Sequence, residues 1–125
     1  MFAVNLSGEW SEIPGTKGLV TQGLSGDFDE AAGTGYRTRL VRFEPGGETF
    51  EPFTHLYWEE VYILSGELAA KADGVSVVAP GYVIRPPGTP HGPLISKNGC
   101  LLVEVQYFAD RGVGLDKFLD SMASA

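Results

Sequence analysis

Turn residues punctuate this chain at short, regular intervals. Seventeen glycines and eight prolines lie spread along its 125 residues rather than clustered. Between them stand apolar, β-branched and aromatic runs, and that alternation describes an all-β domain of many short strands. A chain of this length accommodates one compact domain and leaves no room for a second. With 43% hydrophobic and 20% charged residues it can fill a sizeable core and is not expected to be disordered.

Charge narrows the partners. Sixteen acidic residues against nine basic ones give −7 with neutral histidines. Nucleic acid and anionic membranes both ask for a basic surface, so neither is expected as the main partner. No apolar run reaches membrane-spanning length, and Met1-Phe2-Ala3-Val4-Asn5 lacks the charged and apolar regions of a secretory signal. The single Cys100 cannot form an intrachain disulfide, which points to the cytoplasm and excludes a structural site of several thiolates.

Residues 1–33 are turn-rich, with short apolar islands at 18–20 and 23–24, and read as an N-terminal arm with one or two short strands. The strand-bearing core is expected over 34–109. Its strand candidates are Tyr36–Phe43, Thr49–Phe53, Glu60–Leu64, Leu68–Ala72, Val75–Val78, Tyr82–Arg85 and Leu101–Phe108, the last being the longest apolar run. Turns are expected at Pro45-Gly46-Gly47, Ser65-Gly66, Asp73-Gly74 and Pro80-Gly81. Pro86, Pro87 and Pro90 remove three ladder donors, so that stretch is no central strand. Leu115, Phe118, Leu119 and Met122 fall at helical spacing and predict one short helix within 113–124. Many short strands and one terminal helix favour a sandwich or a jelly-roll barrel.

Both histidines of the chain, His55 and His91, have unusual neighbours. The first lies in Phe53-Thr54-His55-Leu56-Tyr57-Trp58-Glu59-Glu60, and imidazole with carboxylate is the ligand vocabulary of zinc, iron(II) and manganese. On a straight strand positions 55 and 59 share a face but lie roughly 13 Å apart. Two ligands of one ion approach within about 3 Å, so shared binding demands a bend across Leu56-Tyr57-Trp58. His91 follows Arg85-Pro86-Pro87-Gly88-Thr89-Pro90, a stiff turn suited to holding one imidazole still.

These residues amount to a family resemblance. The segment from Gly46 to Gly66 resembles the first cupin motif, with His55 as its second histidine, Glu59 as its glutamate and Gly66 after six intervening residues. Gly81, Pro86 or Pro87, Gly88 and His91 resemble the second motif, and the 14 residues between motifs match small single-domain bacterial cupins. The Pro-Pro-Gly-Thr-Pro-His stretch followed by Asn98-Gly99-Cys100 also looks like cupins attached to zinc-dependent anti-sigma factors, and like cupin dioxygenases. The resemblance implies an all-β, single-domain cupin jelly roll, a homodimer, and one divalent metal ion held by His55, Glu59 and His91. Iron(II) is the first choice, with zinc, manganese or nickel close behind.

One position departs from the family. Phe53 stands where the first motif histidine belongs, which reduces the usual four ligands to two imidazoles and a carboxylate. That set with open positions is the facial arrangement of many non-haem iron(II) oxygenases. The implied function is a metal-dependent enzyme on a small organic substrate, a dioxygenase first and a lyase, isomerase, decarboxylase or cyclase second. A non-catalytic binding or sensing module is the third reading. Glu104 and Tyr57 are the candidate acid or base beside the ion. Whether Glu104 and Gln106 face the barrel interior or solvent is left open by a period-two pattern. Glu60 replaces Glu59 if the register slips by one, and Glu48 or Glu51 could stand in for the ligand lost at Phe53. Arg37 and Arg39 share a strand face that either meets solvent or binds a substrate carboxylate.

Overall fold

The computed structural model describes residues 6, 8–109 and 119–123. Eight strands follow one another: β1 Ser11–Glu12, β2 Lys17–Gly26, β3 Tyr36–Glu48, β4 Trp58–Ala70, β5 Ser76–Val78, β6 Gly81–Arg85, β7 Leu94–Ser96 and β8 Cys100–Tyr107. Two long strands organise the barrel. The first part of β3 pairs with β2 and β8, and its end with β7; the first part of β4 pairs with β6 and β8, and its end with β5 and β7. The circuit β3–β8–β4–β7 therefore closes on itself. Every pairing is antiparallel, and the result is a closed jelly-roll barrel.

Changing partners midway requires each long strand to bend. In β4 the bend falls as the chain enters Ser65-Gly66: the register against β8 shifts between Ile63 and Ser65. The predicted turn there is instead a bulge inside one continuous strand. Gly66 has φ +79°, and a Cβ on it would come within 1.9 Å of the Gly99 carbonyl oxygen, so only glycine fits. Pro45-Gly46-Gly47 plays the same part in β3, which continues past these residues to Glu48.

Residues 17–26 form one ten-residue strand rather than two islands, because pairing along β3 supplies the hydrogen bonds that local sequence does not suggest. This part of the expected arm is thus a barrel strand. Thr49–Phe53 is a loop, not a strand: Pro52 has no N–H, and the segment is tied at its ends by Thr49 to Leu94 and by a lone bridge between Phe53 and His91. β7 had no sequence signal, being three residues long. Residues 119–123 are helical, in keeping with the predicted terminal helix, whose remaining residues lie outside those described.

Leu19, Val41, Phe43, Val61, Ile63, Leu68, Cys100 and Leu102 form the buried core. Leu102 alternates with Leu101 and Val103, so Leu102, Glu104 and Gln106 point inward. That settles the open face of the last strand. Among the described residues no helix is long and apolar enough to cross a membrane.

Candidate metal centre

Three chain segments converge at one end of the barrel. Glu59 is the second residue of β4, His55 lies in the loop entering it, and His91 follows the proline-rich turn after β6. Because β6 pairs with β4 with Arg85 opposite Glu59, the turn from Arg85 to His91 comes back over the start of β4. Backbone hydrogen bonds tie it there: Gly88 N–H donates to the His55 carbonyl at 2.9 Å, while Phe53 and His91 exchange bonds of 2.8 and 3.0 Å. The bend across residues 56–58 is therefore present. It brings His55 Nε2 to 3.9 Å from one oxygen of Glu59, and His91 Nε2 lies 4.0 Å from the other. One ligand atom from each of the three residues lies within 4.8 Å of the others.

The imidazoles are set for a ligand at Nε2. His55 Nδ1 sits 3.0 Å from the Tyr57 carbonyl oxygen and His91 Nδ1 3.2 Å from that of Thr89. A carbonyl only accepts, so each Nδ1 carries the proton and each Nε2 presents a lone pair. Both Nε2 atoms are buried and have no hydrogen-bond partner. A buried polar atom left unsatisfied costs about 1–3 kcal/mol. Burial lowers the pKa of both rings, pushing His91 down to about 4 with help from the Arg85 charge, so both are neutral at pH 7. Neutral imidazole is the form that binds metal.

Glu59 completes the set. Burial opposes its ionisation, but the Arg85 guanidinium, the Gln106 amide and the nearby His91 hold its carboxyl below the usual range. Arg85 Nη1 donates to Oε1 and Gln106 Nε2 to Oε2, each at 2.5 Å. A carboxylate has about four acceptor positions, so two bonds leave capacity for a cation. Gln106 is itself oriented: Arg37 donates to its Oε1 through Nε at 2.8 Å and through Nη2, which turns the NH₂ toward Glu59. Two bare nitrogens and one anionic oxygen fit iron(II), zinc, manganese or nickel. Arg85 and Gln106 were not foreseen as partners of Glu59. An arginine ending the apolar run 82–85 was the available signal for the first.

The alternatives resolve around this centre. Glu60 accepts from Tyr82 and Tyr107 hydroxyls at 2.5 and 2.8 Å, so it is not the inward carboxylate. Glu48 pairs with Lys71. Phe53 lines the cavity and meets the His91 ring edge-on at 4.4 Å, which places position 53 beside the ligands. Tyr57 stacks flat on His55 at 3.7 Å between centroids. Burial and neighbouring Glu59 push its phenol up to about 12, so it donates hydrogen bonds but is no base near neutrality. Glu104 faces the cavity, and desolvation followed by repulsion from Glu59 raises its pKa. Arg39 faces the cavity as well and bonds Glu104.

Behind the triad the barrel holds a cavity of about 270 Å³. Leu19, Val41, Phe43, Leu68, Leu94 and Leu102 supply much of its wall. That is at the small end for a ligand pocket.

A closed jelly roll with two imidazoles and a carboxylate gathered at its mouth defines a cupin. Residues 7–107 match the family model of the ChrR cupin-like domain, and the chain belongs to that family. None of the curated proteins compared with it matches. Among solved structures it resembles an RmlC-like cupin from Shewanella frigidimarina, at 24% identity and TM-score 0.65, over 88% of this chain and 92% of that one. The polyketide cyclase RemF from Streptomyces resistomycificus is similar at 22% identity and TM-score 0.65, over 91% and 84%. An acetylacetone dioxygenase from Acinetobacter johnsonii is similar at 14% identity and TM-score 0.66, over 99% and 91%. At such identities these likenesses show the fold.

Proposed function

We propose that this cupin is a metal-dependent enzyme acting on a small organic substrate, with one divalent ion held by His55, Glu59 and His91. The observation that carries the reading is the pair of buried, partnerless Nε2 atoms converging on an ionised carboxylate. Iron(II) is the first choice, and zinc, manganese and nickel suit the same donors. When bound, the ion would supply Lewis acidity and, if redox-active, dioxygen chemistry at positions the three ligands leave open.

The chain's own residues prepare the site. The apolar part of the wall lowers the local dielectric, which strengthens the charge interactions beside it. Glu104, with its raised pKa, is suited to hold and release a proton at its carboxyl oxygen. Tyr57 holds the His55 ring in plane and offers a hydrogen-bond donor. Dioxygenase chemistry is the favoured reaction class because Phe53 supplies no fourth ligand. The likenesses to a dioxygenase and a cyclase support both the oxidative reading and a non-redox one. Reconstitution separates them. A dioxygenase works with iron(II), fails with zinc and consumes oxygen with turnover; full turnover under nitrogen would overturn it.

A binding module without catalysis is the second reading, and Arg85 favours it, since its guanidinium already neutralises Glu59. Stripped protein that binds ligands as tightly as the loaded form would support that alternative. The homodimer and a cytoplasmic setting belong to the same proposal. Tyr62, Leu64, Val78 and Tyr82 expose a shared apolar face suited to a second copy, which sedimentation can test, and Cys100 is a buried thiol.

A further inference from the structure

One partly buried charge pair in the cavity has no part in holding the triad. Arg39 stands on the inward side of β3 with Val41 and Phe43, and its Nε donates to Glu104 Oε2 at 2.7 Å. The two side chains are 20% and 14% exposed. That contact engages Nε, one of the five N–H donors a guanidinium carries. The pair lies close to the triad: the Gln106 amide reaches Glu59 at 2.5 Å and Glu104 at 3.4 Å, so both carboxylates border one NH₂ group.

Charge decides what such a cavity accepts. Even with Glu104 ionised, Arg39 and Arg85 balance Glu59 and Glu104, with both imidazoles neutral as ligands must be. Glu51, the other charged residue on the lining, is exposed and screened by solvent. A divalent ion on the triad leaves the interior positive beside walls of hydrocarbon. Uncompensated charge in such surroundings is costly. A neutral dicarbonyl does not relieve it, whereas an anion does, and a planar guanidinium is the group that best matches a carboxylate.

We infer that the ligand of this cavity is a small carboxylic acid, its carboxylate anchored by Arg39. This rests on the metal-dependent reading for the charge balance and on Arg39 alone for the anchor. The cavity size limits the acid to a short, apolar carbon body.

Calorimetric titration of the metal-loaded protein with 4-methyl-2-oxopentanoate and with the neutral ketone 4-methyl-2-pentanone tests the anchor. The acid should bind at least tenfold more tightly than the ketone. Arg39→Met should bring the acid down to the ketone's affinity, with ketone binding and metal stoichiometry unchanged, and Arg39→Lys should keep part of the preference. Because Arg39→Met strands Glu104, the double variant Arg39→Met/Glu104→Gln repeats the test without a buried lone carboxylate. Equal or undetectable binding of acid and ketone by the native protein overturns the inference, as does undiminished acid binding in the double variant. Acid binding that depends on Arg39 in protein that takes up no metal upholds the anchor and sinks the metal reading instead.

Discussion

Glu59→Gln tests the buried network in isolation from any metal. Two donors, Arg85 Nη1 and Gln106 Nε2, each aim at one carboxylate oxygen. An amide offers one oxygen and one NH₂, so in the variant one of those donors meets another donor. The Arg85 side chain is 10% exposed and would remain charged without its ion-pair partner. Removing one partner of a buried ion pair costs about 3–5 kcal/mol, mostly through the stranded charge. Adding Arg85→Met removes that charge too and should restore about 2–3 kcal/mol, a coupling expected between groups in one network. Urea unfolding at pH 7.5 with a chelator present measures this without any contribution from bound metal. A loss below about 1 kcal/mol, or no recovery in the double variant, would refute the claim that Arg85 is paired through Glu59.

Two further outcomes follow from the same geometry. Phe53→His should add a third imidazole, and so a fourth ligand, next to His91, tighten metal binding about tenfold or more, and lower activity by closing an exchangeable position; unchanged metal affinity by competition titration would show that position 53 does not face the ion. In chelated protein, stability should fall as pH drops from about 6.5 toward 4. The unfolded chain protonates its histidines first, while burial holds the folded His91 near 4 and lowers His55 too, so this stability is complete above 6.5. The share of His91 is about 3 kcal/mol, with Glu104 working in the opposite sense because its carboxyl is raised. Thermal melts across that range check it, and an unchanged slope in His91→Gln would contradict the assignment.

Much of the site was legible because its signals are local. Gly88 and the prolines before His91, and the spacing from His55 through Glu59 to Gly66, are fixed by short-range backbone needs. Strand pairing is not local. The ten-residue β2 draws its hydrogen bonds from β3, and Ser65-Gly66 reads as a turn because the partner switch that makes it a bulge lies in β7 and β8. For the same reason the face of Glu104 was undecidable from a period of two, while its place on the cavity wall, opposite Arg39 across β3 and β8, resolves it. Arg85 and Gln106 escaped notice as partners of Glu59 since each reaches it from a neighbouring strand.

The central claim is that one divalent ion sits on His55, Glu59 and His91. Elemental analysis of protein purified without chelators, beside His91→Ala prepared identically, addresses it most directly. The account predicts close to one equivalent of a first-row transition metal per native chain and a fall of at least tenfold in the variant, with the fold retained by circular dichroism. Full metal occupancy in His91→Ala, or none in native protein after incubation with iron(II) and zinc, would contradict it.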